Sequence, residues 1–342
     1  MKLSPLRVVV LLPLLACASP PGHTDATDRT SPVVTPPPSP PAPTSRLVAL
    51  TPAGALCVLD AATGAVLSTE GAAALDLAPD QDHPGALATL VPARDDTGQL
   101  ARYRLRGVQL ERTSSLPFDA PEGRLLRAGD ALVGVAQTEM STLFWAREGA
   151  GSGKVWGPVT SAATLAEERG IRVQTAGLPD GGSVTVATAL VSAHGVESMV
   201  VAGVNAPRGT ALFTHRDGFG RVDSTSTGWR VVGGSHDGVS MEHPDSFPVE
   251  AIAMGPGRLA VLTGPTAQLW VLSPWGAHAI ALGDESLDAP DRVSHRLVYD
   301  ASRQRVWVVA GHTAYAVELP SLRIAATGGC PASALAVITP EP

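Results

Sequence analysis

RLVALTPAGALCVLDAATGAVLSTE, residues 46–70, holds three short apolar runs, LVAL, LCVLD and AVLST, separated by the turn residues Pro52-Ala53-Gly54 and Ala62-Thr63-Gly64. Strand-forming runs punctuated in this way make a three-strand antiparallel meander. The meander lacks a fourth strand. At the other end of the chain, PASALAVI (331–338) is an apolar strand with no hairpin after it. The two ends together therefore supply one four-stranded sheet.

A sheet shared between the two ends of a chain is how a β-propeller closes. The repeats between the ends agree with that reading. VEAIAMGPGRLAVLTGPTAQLWVLSPWGAHAIALG (249–283) aligns with HRLVYDASRQRVWVVAGHTAYAVELPSLRIAATGG (295–329), and PASALAVI joined to residues 46–71 gives the same order of strands. Each unit reads as inner strand, turn, apolar strand, Gly turn, alternating strand, turn, outer strand. In the third strand, QLWVL and AYAVE place large side chains at period two, as half-buried strands require. The second strands, LAVLT and VWVVA, are apolar throughout and should lie between neighbouring blades. Residues 72–160 and 172–233 carry the same elements less regularly. At about 40 to 45 residues per blade the head holds six or seven blades, and seven is the expectation. One short helix is expected over Ser161–Gly170, from an N-cap serine, good helix formers and a terminal glycine.

The composition fits this architecture. The 342 residues are 44% hydrophobic and 17% charged, with 35 Gly and 30 Pro, which suits many short strands and turns. The formal charge of −7 and the absence of a basic cluster argue against nucleic-acid binding.

The N-terminus reads as an export signal, with Lys2 and Arg7 in a charged region before the apolar run Val8–Ala16. That run is too short to span a bilayer. Leu14-Leu15-Ala16-Cys17 resembles the lipobox of bacterial lipoproteins. The resemblance implies cleavage before Cys17, acylation of that cysteine and, with Ala18 rather than Asp following, delivery to the outer membrane. Loss of the leader would take the formal charge from −7 to −9. Of residues 18–45, nine are Pro and most others Ser, Thr, Ala or Asp, a composition that cannot bury apolar surface. The expected organisation is a signal peptide (1–16), a lipidated Cys17 with a Pro-rich tether to residue 45, and a propeller head (46–342).

A wider family resemblance rests on Gly54-Ala-Leu-Cys-Val-Leu-Asp60-Ala-Ala-Thr63-Gly64, taken with GGCPASALAV (328–337). This is similar to the repeat of YVTN-type and quinoprotein-like β-propellers, in which an outer strand runs through G-x-x-P into an inner strand and the meander ends in D-x-x-T-G. Quinoprotein blades carry a docking Trp four residues after the glycine, where this chain has Ser68, so no quinone cofactor is expected. In that topology Cys330 and Cys57 share one rim of the closing blade. The resemblance thus makes them a candidate disulfide across the chain ends, with two separate thiols as the alternative.

Several stretches imitate catalytic motifs without meeting their requirements. Gly151-Ser152-Gly153-Lys154 has Val155 where a phosphate loop needs Ser or Thr for magnesium. Gly234-Ser235-His236-Asp237 sets nucleophile, base and acid types side by side, where adjacent residues cannot form a relay. His236, Asp237, Glu242, His243 and Asp245 lack zinc spacing. Acidic turns offer a different possibility. In the propeller frame, one face gathers Asp95, Asp96, Asp119, Glu122, Asp237, Glu242, Asp245, Asp284, Glu285, Asp288 and Asp291, a candidate rim for a basic or cation-bridged partner. Solvated turn chemistry would place the same residues there. Of the six Trp, Trp270 and Trp307 read as inter-blade core and Trp275 as exposed.

The resulting expectation is an envelope lipoprotein presenting a propeller head for protein or ligand binding, without a cofactor, metal or assembled catalytic set. Two alternatives stand beside it. One is a propeller hydrolase or lyase with a metal at the axial channel, and the other an accessory in outer-membrane protein assembly that works through exposed strand edges.

Overall fold

The computed structural model describes residues 45–80, 85–92, 98–118, 123–128, 131–136, 142–145, 152–154, 158–290 and 293–339. The leader, Cys17 and the tether lie outside them, as do Asp95, Asp96, Asp119, Glu122 and Asp291.

The described strands form seven four-stranded antiparallel sheets. The closing blade takes β1 (Arg46–Leu50), β2 (Leu56–Asp60) and β3 (Val66–Glu70) from the start of the head. The next comprises β4 (Asp76–Asp80), β5 (Ala86–Pro92), β6 (Gly98–Arg106) and β7 (Gln109–Phe118), followed by β8 (Arg124–Ala128), β9 (Ala131–Ala136), β10 (Thr142–Trp145) and β11 (Ser152–Lys154). The fourth has β12 (Val159–Glu167), β13 (Gly170–Gly177), β14 (Ser183–Ser192) and β15 (Gly195–Asn205), and the fifth β16 (Thr210–His215), β17 (Gly218–Ser224), β18 (Gly228–Val232) and β19 (Ser240–Glu242). The sixth has β20 (Phe247–Ala253), β21 (Leu259–Gly264), β22 (Thr266–Ser273) and β23 (Gly276–Ser286). The seventh has β24 (Leu297–Asp300), β25 (Arg305–Ala310), β26 (Thr313–Glu318) and β27 (Arg323–Thr327). The final strand, β28 (Ala334–Ile338), then becomes the inner strand of the closing blade.

Closure follows the pairing expected of the two chain ends: β1 pairs antiparallel with β28, Arg46 opposite Ile338 and Leu50 opposite Ala334. The inner strands touch in the circular order β28, β4, β8, β12, β16, β20, β24 and back to β28. This ring is a β-propeller of seven blades. Its core lies between blades, because each apolar second strand packs against the neighbouring sheet. Val306 and Val308 meet Leu262 and Leu269, while Trp307 and Val309 meet Leu47 and Leu59.

The expected helix is a strand. Ser161 to Glu167 belongs to inner strand β12, pairing with β13 and packing along β16. Two helical turns are marginal in isolation, whereas this segment gains a full ladder and a buried face by joining a blade. The cap signal serves another purpose. Ser161 Oγ accepts the Leu212 amide of the next inner strand at 2.9 Å instead of capping its own turn.

The expected disulfide is corrected as well. Cys57 and Cys330 do share the rim of the closing blade and one hydrophobic cluster, but as free thiols. Burial pushes the Cys330 thiol well above its ordinary range, and the adjacent Cys57 adds to the effect.

Candidate functional site at the axial mouth

The inner strands all begin on one face of the ring, which also carries the connections from each outer strand to the next blade. Near those starts the otherwise apolar strands carry ionisable and hydroxyl side chains. Asp76 opens β4, Arg124 opens β8, Ser161 lies in β12, Glu250 in β20, and His295 just precedes β24. These surround the mouth of the axial channel.

Most of them tie one blade to the next. Asp76 Oδ2 accepts the Leu125 amide at 2.7 Å, Ser161 Oγ the Leu212 amide at 2.9 Å, and Glu250 Oε2 the Arg296 amide at 2.7 Å. Each bond runs from an inner strand to the following one. Arg124 Nη1 donates back to the Leu75 carbonyl at 2.7 Å, and the Leu335 amide donates to the His295 carbonyl at 2.9 Å. Backbone irregularity aims two of these side chains. The register of β12 against β13 shifts between Val159 and Ser161, and that of β20 against β21 between Pro248 and Glu250. A bulge of one residue reverses which face the next side chain takes, so Ser161 and Glu250 turn toward the neighbouring strand.

His295 links the two sides of the mouth. Its Nε2 lies 3.3 Å from Asp76 Oδ2, reaching past the intervening strand β28, while its other neighbour is Glu250. Burial by itself would depress the imidazole pKa. The Asp76 carboxylate overrides it, with Glu250 assisting, and pushes His295 up to about 9. Burial raises the Glu250 pKa, opposed by the His295 charge, the Arg296 and Leu297 amides and the Ser294 hydroxyl, which donates to Oε2 at 3.1 Å. Beside them a shallow recess of about 340 Å³, counting space open to solvent, is lined by Thr160, Ser161, Glu250, Ser294 and His295.

This constellation is a clasp. One oxygen of each carboxylate accepts a backbone amide, and the raised pKa of His295 favours its protonated form at neutral pH. Among the described residues, no three His, Cys, Asp or Glu side chains are placed to hold a metal ion.

The residues of the expected acidic rim are distributed differently. Glu242 ends β19 opposite Gly228, Asp284 and Glu285 lie near the end of β23, and Asp245 and Asp288 lie in the connections to the next inner strands. All five are exposed and share the face of the axial mouth. Asp245 is paired with Arg208 at 2.8 Å. Asp237 lies on the opposite face, because residues 233–239 connect the third and fourth strands of their blade. It caps its own loop, accepting the Gly233 amide at 2.8 Å. Trp307 is fully buried and Trp275 is 83% exposed, both as expected; Trp229 is fully buried against Trp270.

The clasp residues Asp76, Glu250 and His295 were not singled out by motif or spacing. A signal was present: LDLAPD, VEAIAM and HRLVYD each set an ionisable residue or pair near the start of an apolar inner strand. An ionisable side chain at such a position needs a partner from the neighbouring blade.

No protein-family model matches the chain, and no curated protein sequence matches it. Solved structures show the fold. A functionally unknown protein from Desulfotomaculum acetoxidans aligns with 87% of this chain and 100% of its own at a TM-score of 0.59 and 10% identity. A candidate 6-phosphogluconolactonase from Bacteroides fragilis aligns with 88% of this chain and 99% of its own at a TM-score of 0.51 and 11% identity. Identities of this size carry the β-propeller architecture and nothing about the site.

Proposed function

We propose that this protein is a lipid-anchored component of the bacterial cell envelope whose rigid propeller head recognises a basic partner through one acidic face. The observation that carries this reading is the polarity of the head. Glu242, Asp245, Asp284, Glu285 and Asp288 are exposed on the face of the axial mouth, whereas the described head begins at Ser45 on the other face, where β1 opens opposite the end of β28. The tether therefore joins the head on the face opposite these residues. The clasp supports the same reading, because it spends its carboxylates on holding blades together and leaves the face a fixed surface. Acidic fields of this kind steer oppositely charged partners and weaken with salt.

Two measurements test the proposal. Fractionation of cells should place the wild-type chain with the membranes and Cys17→Ser in the soluble fraction. On a surface bearing an oligolysine peptide at low salt, the triple variant D284N/E285Q/D288N should bind at least several-fold more weakly than wild type, while Asp237→Asn on the opposite face should bind as wild type does. Equal binding by all three proteins would remove the acidic face from the proposal, and an unchanged membrane fraction for Cys17→Ser would remove the anchor.

A further inference from the structure

Cys57 and Cys330 are the only cysteines of the head, and neither the clasp nor the acidic face uses them. Hydrogen-bonded backbone positions both. Cys57 sits within β2, with Ala49 opposite on one side and Thr69 on the other. Cys330 lies in the connection from β27 to β28, which is pinned on either side of it: the Gly329 amide donates to the Gly64 carbonyl at 2.9 Å, and the Ala332 amide to the His312 carbonyl at 2.8 Å. Cys330 packs on the apolar cluster that contains Cys57, and Cys57 is close enough to act on its thiol directly. The fold thus sets two sulfurs from opposite ends of the head side by side and leaves them unjoined.

The surroundings select the chemistry that such a pair serves. Among the described residues, no third His, Cys, Asp or Glu side chain joins them. Zinc, calcium and magnesium need larger ligand sets than two sulfurs supply. The other neighbours include Leu59, Ala314, Ala332 and Leu335, and the Thr69 hydroxyl lies 3.8 Å from Cys57 Sγ. A sulfur pair in an apolar setting favours soft ions, which prefer thiolate to oxygen ligands. Cys57 is 2% exposed, but Cys330 is only half-buried, so the pair is open to solvent from one side.

We infer that Cys57 and Cys330 form a two-coordinate site for a soft monovalent cation of the Cu(I) and Ag(I) class. Binding breaks two S–H bonds and forms two S–metal bonds; the two protons pass to water, and the metal keeps its oxidation state. The site goes from neutral to a single negative charge shared by two sulfurs and the ion. That costs less in an apolar setting than two free thiolates. The S–metal–S bridge would tie β2 to the connection before β28, locking the seam that β1 and β28 close. This inference rests on neither the membrane anchor nor the acidic face.

The test uses the full chain carrying Cys17→Ser, which leaves Cys57 and Cys330 as its only thiols. The reduced protein, freed of reductant, is titrated with silver nitrate in chloride-free buffer at neutral pH. One equivalent of Ag(I) should bind tightly, with release of two protons, a rise in ultraviolet absorbance from the new thiolate–silver bonds and a higher unfolding midpoint. Zn(II) at the same concentration should produce none of these changes. Cys330→Ser, at the half-buried position, should fold as the parent does and lose both the tight equivalent and the midpoint shift; Cys57→Ala should do the same from the buried side. A parent that takes up no tight equivalent, releases fewer than two protons for it or responds equally to Zn(II) would overturn the inference, as would a folded Cys330→Ser that keeps the equivalent and the shift.

Discussion

Replacing Asp76 with alanine is expected to destabilise the head by about 3–5 kcal/mol at neutral pH, because it strips a buried ion pair of one partner and leaves the other charged. Asp76 is fully buried at the axial mouth and holds both the Leu125 amide and the His295 imidazolium. Without it, burial acts on His295 with Glu250 and the Leu125 backbone to oppose it. The same pair sets a pH dependence in the wild-type protein. His295 has a folded pKa of about 9 against an ordinary value of 6.5. A group whose pKa rises on folding stabilises the fold fully below its unfolded value and loses that contribution as pH climbs through the folded one. Stability should therefore fall by about 3 kcal/mol between pH 6 and pH 9. Glu250, also raised, acts in the same direction at lower pH, since its deprotonation within the fold is disfavoured. Denaturant midpoints across this range should show the decline in wild type and a much smaller one in Asp76→Ala. A flat wild-type profile would mean that His295 is not the charged centre of the clasp.

Replacing Gly64 with alanine is expected to cost about 3 kcal/mol, combining a left-handed backbone penalty of about 1–2 kcal/mol with overpacking of about 1–3 kcal/mol. Gly64 lies in the turn between β2 and β3 at φ +75°, and a Cβ there would sit 2.2 Å from the Thr327 carbonyl oxygen. That oxygen belongs to the seventh blade, whose Gly329 amide also donates to the Gly64 carbonyl at 2.9 Å. Two backbones meet here without side chains between them, at the seam where the chain ends join the ring. Gly107 supplies the control. It shares the left-handed conformation, at φ +63°, in a turn where a Cβ meets nothing within 4 Å. Gly107→Ala should cost about 1–2 kcal/mol, the conformational part alone. The difference between the two midpoints, read at unchanged denaturant dependence, measures the close approach at the seam. Equal costs would show that the seam is loose.

The fold was legible because its signal is periodic. Residues 46–70 and 331–338 show the closing sheet directly, and the paired repeats at 249–283 and 295–329 give the order of strands. Ser161 to Gly170 misled for a physical reason. Its local preferences suit a helix, and only the ladder to β13 and the packing on β16, both remote in sequence, decide for a strand. The clasp was hidden in a similar way. Asp76, Glu250 and His295 are far apart in the chain, and what joins them is ring closure together with the bulge before Glu250, neither of which has a sequence motif. The acidic turns were visible as composition. Placing Asp237 on the correct face required knowing that residues 233–239 join the third and fourth strands of a blade whose outer strand has only three residues. The two cysteines were correctly brought to one rim, but shared position does not oxidise a pair of thiols.

The central claim is that the last strand of the chain closes the ring by pairing with the first strand of the head. Amide hydrogen exchange tests it most directly, with peptides covering Arg46–Leu50 and Ala334–Ile338 followed in the full chain and in a chain ending at Ser333. The account predicts strong, matched protection of both segments in the full chain and rapid exchange of residues 46–50 once β28 is gone. Undiminished protection of residues 46–50 in the shortened chain would contradict closure by these two strands.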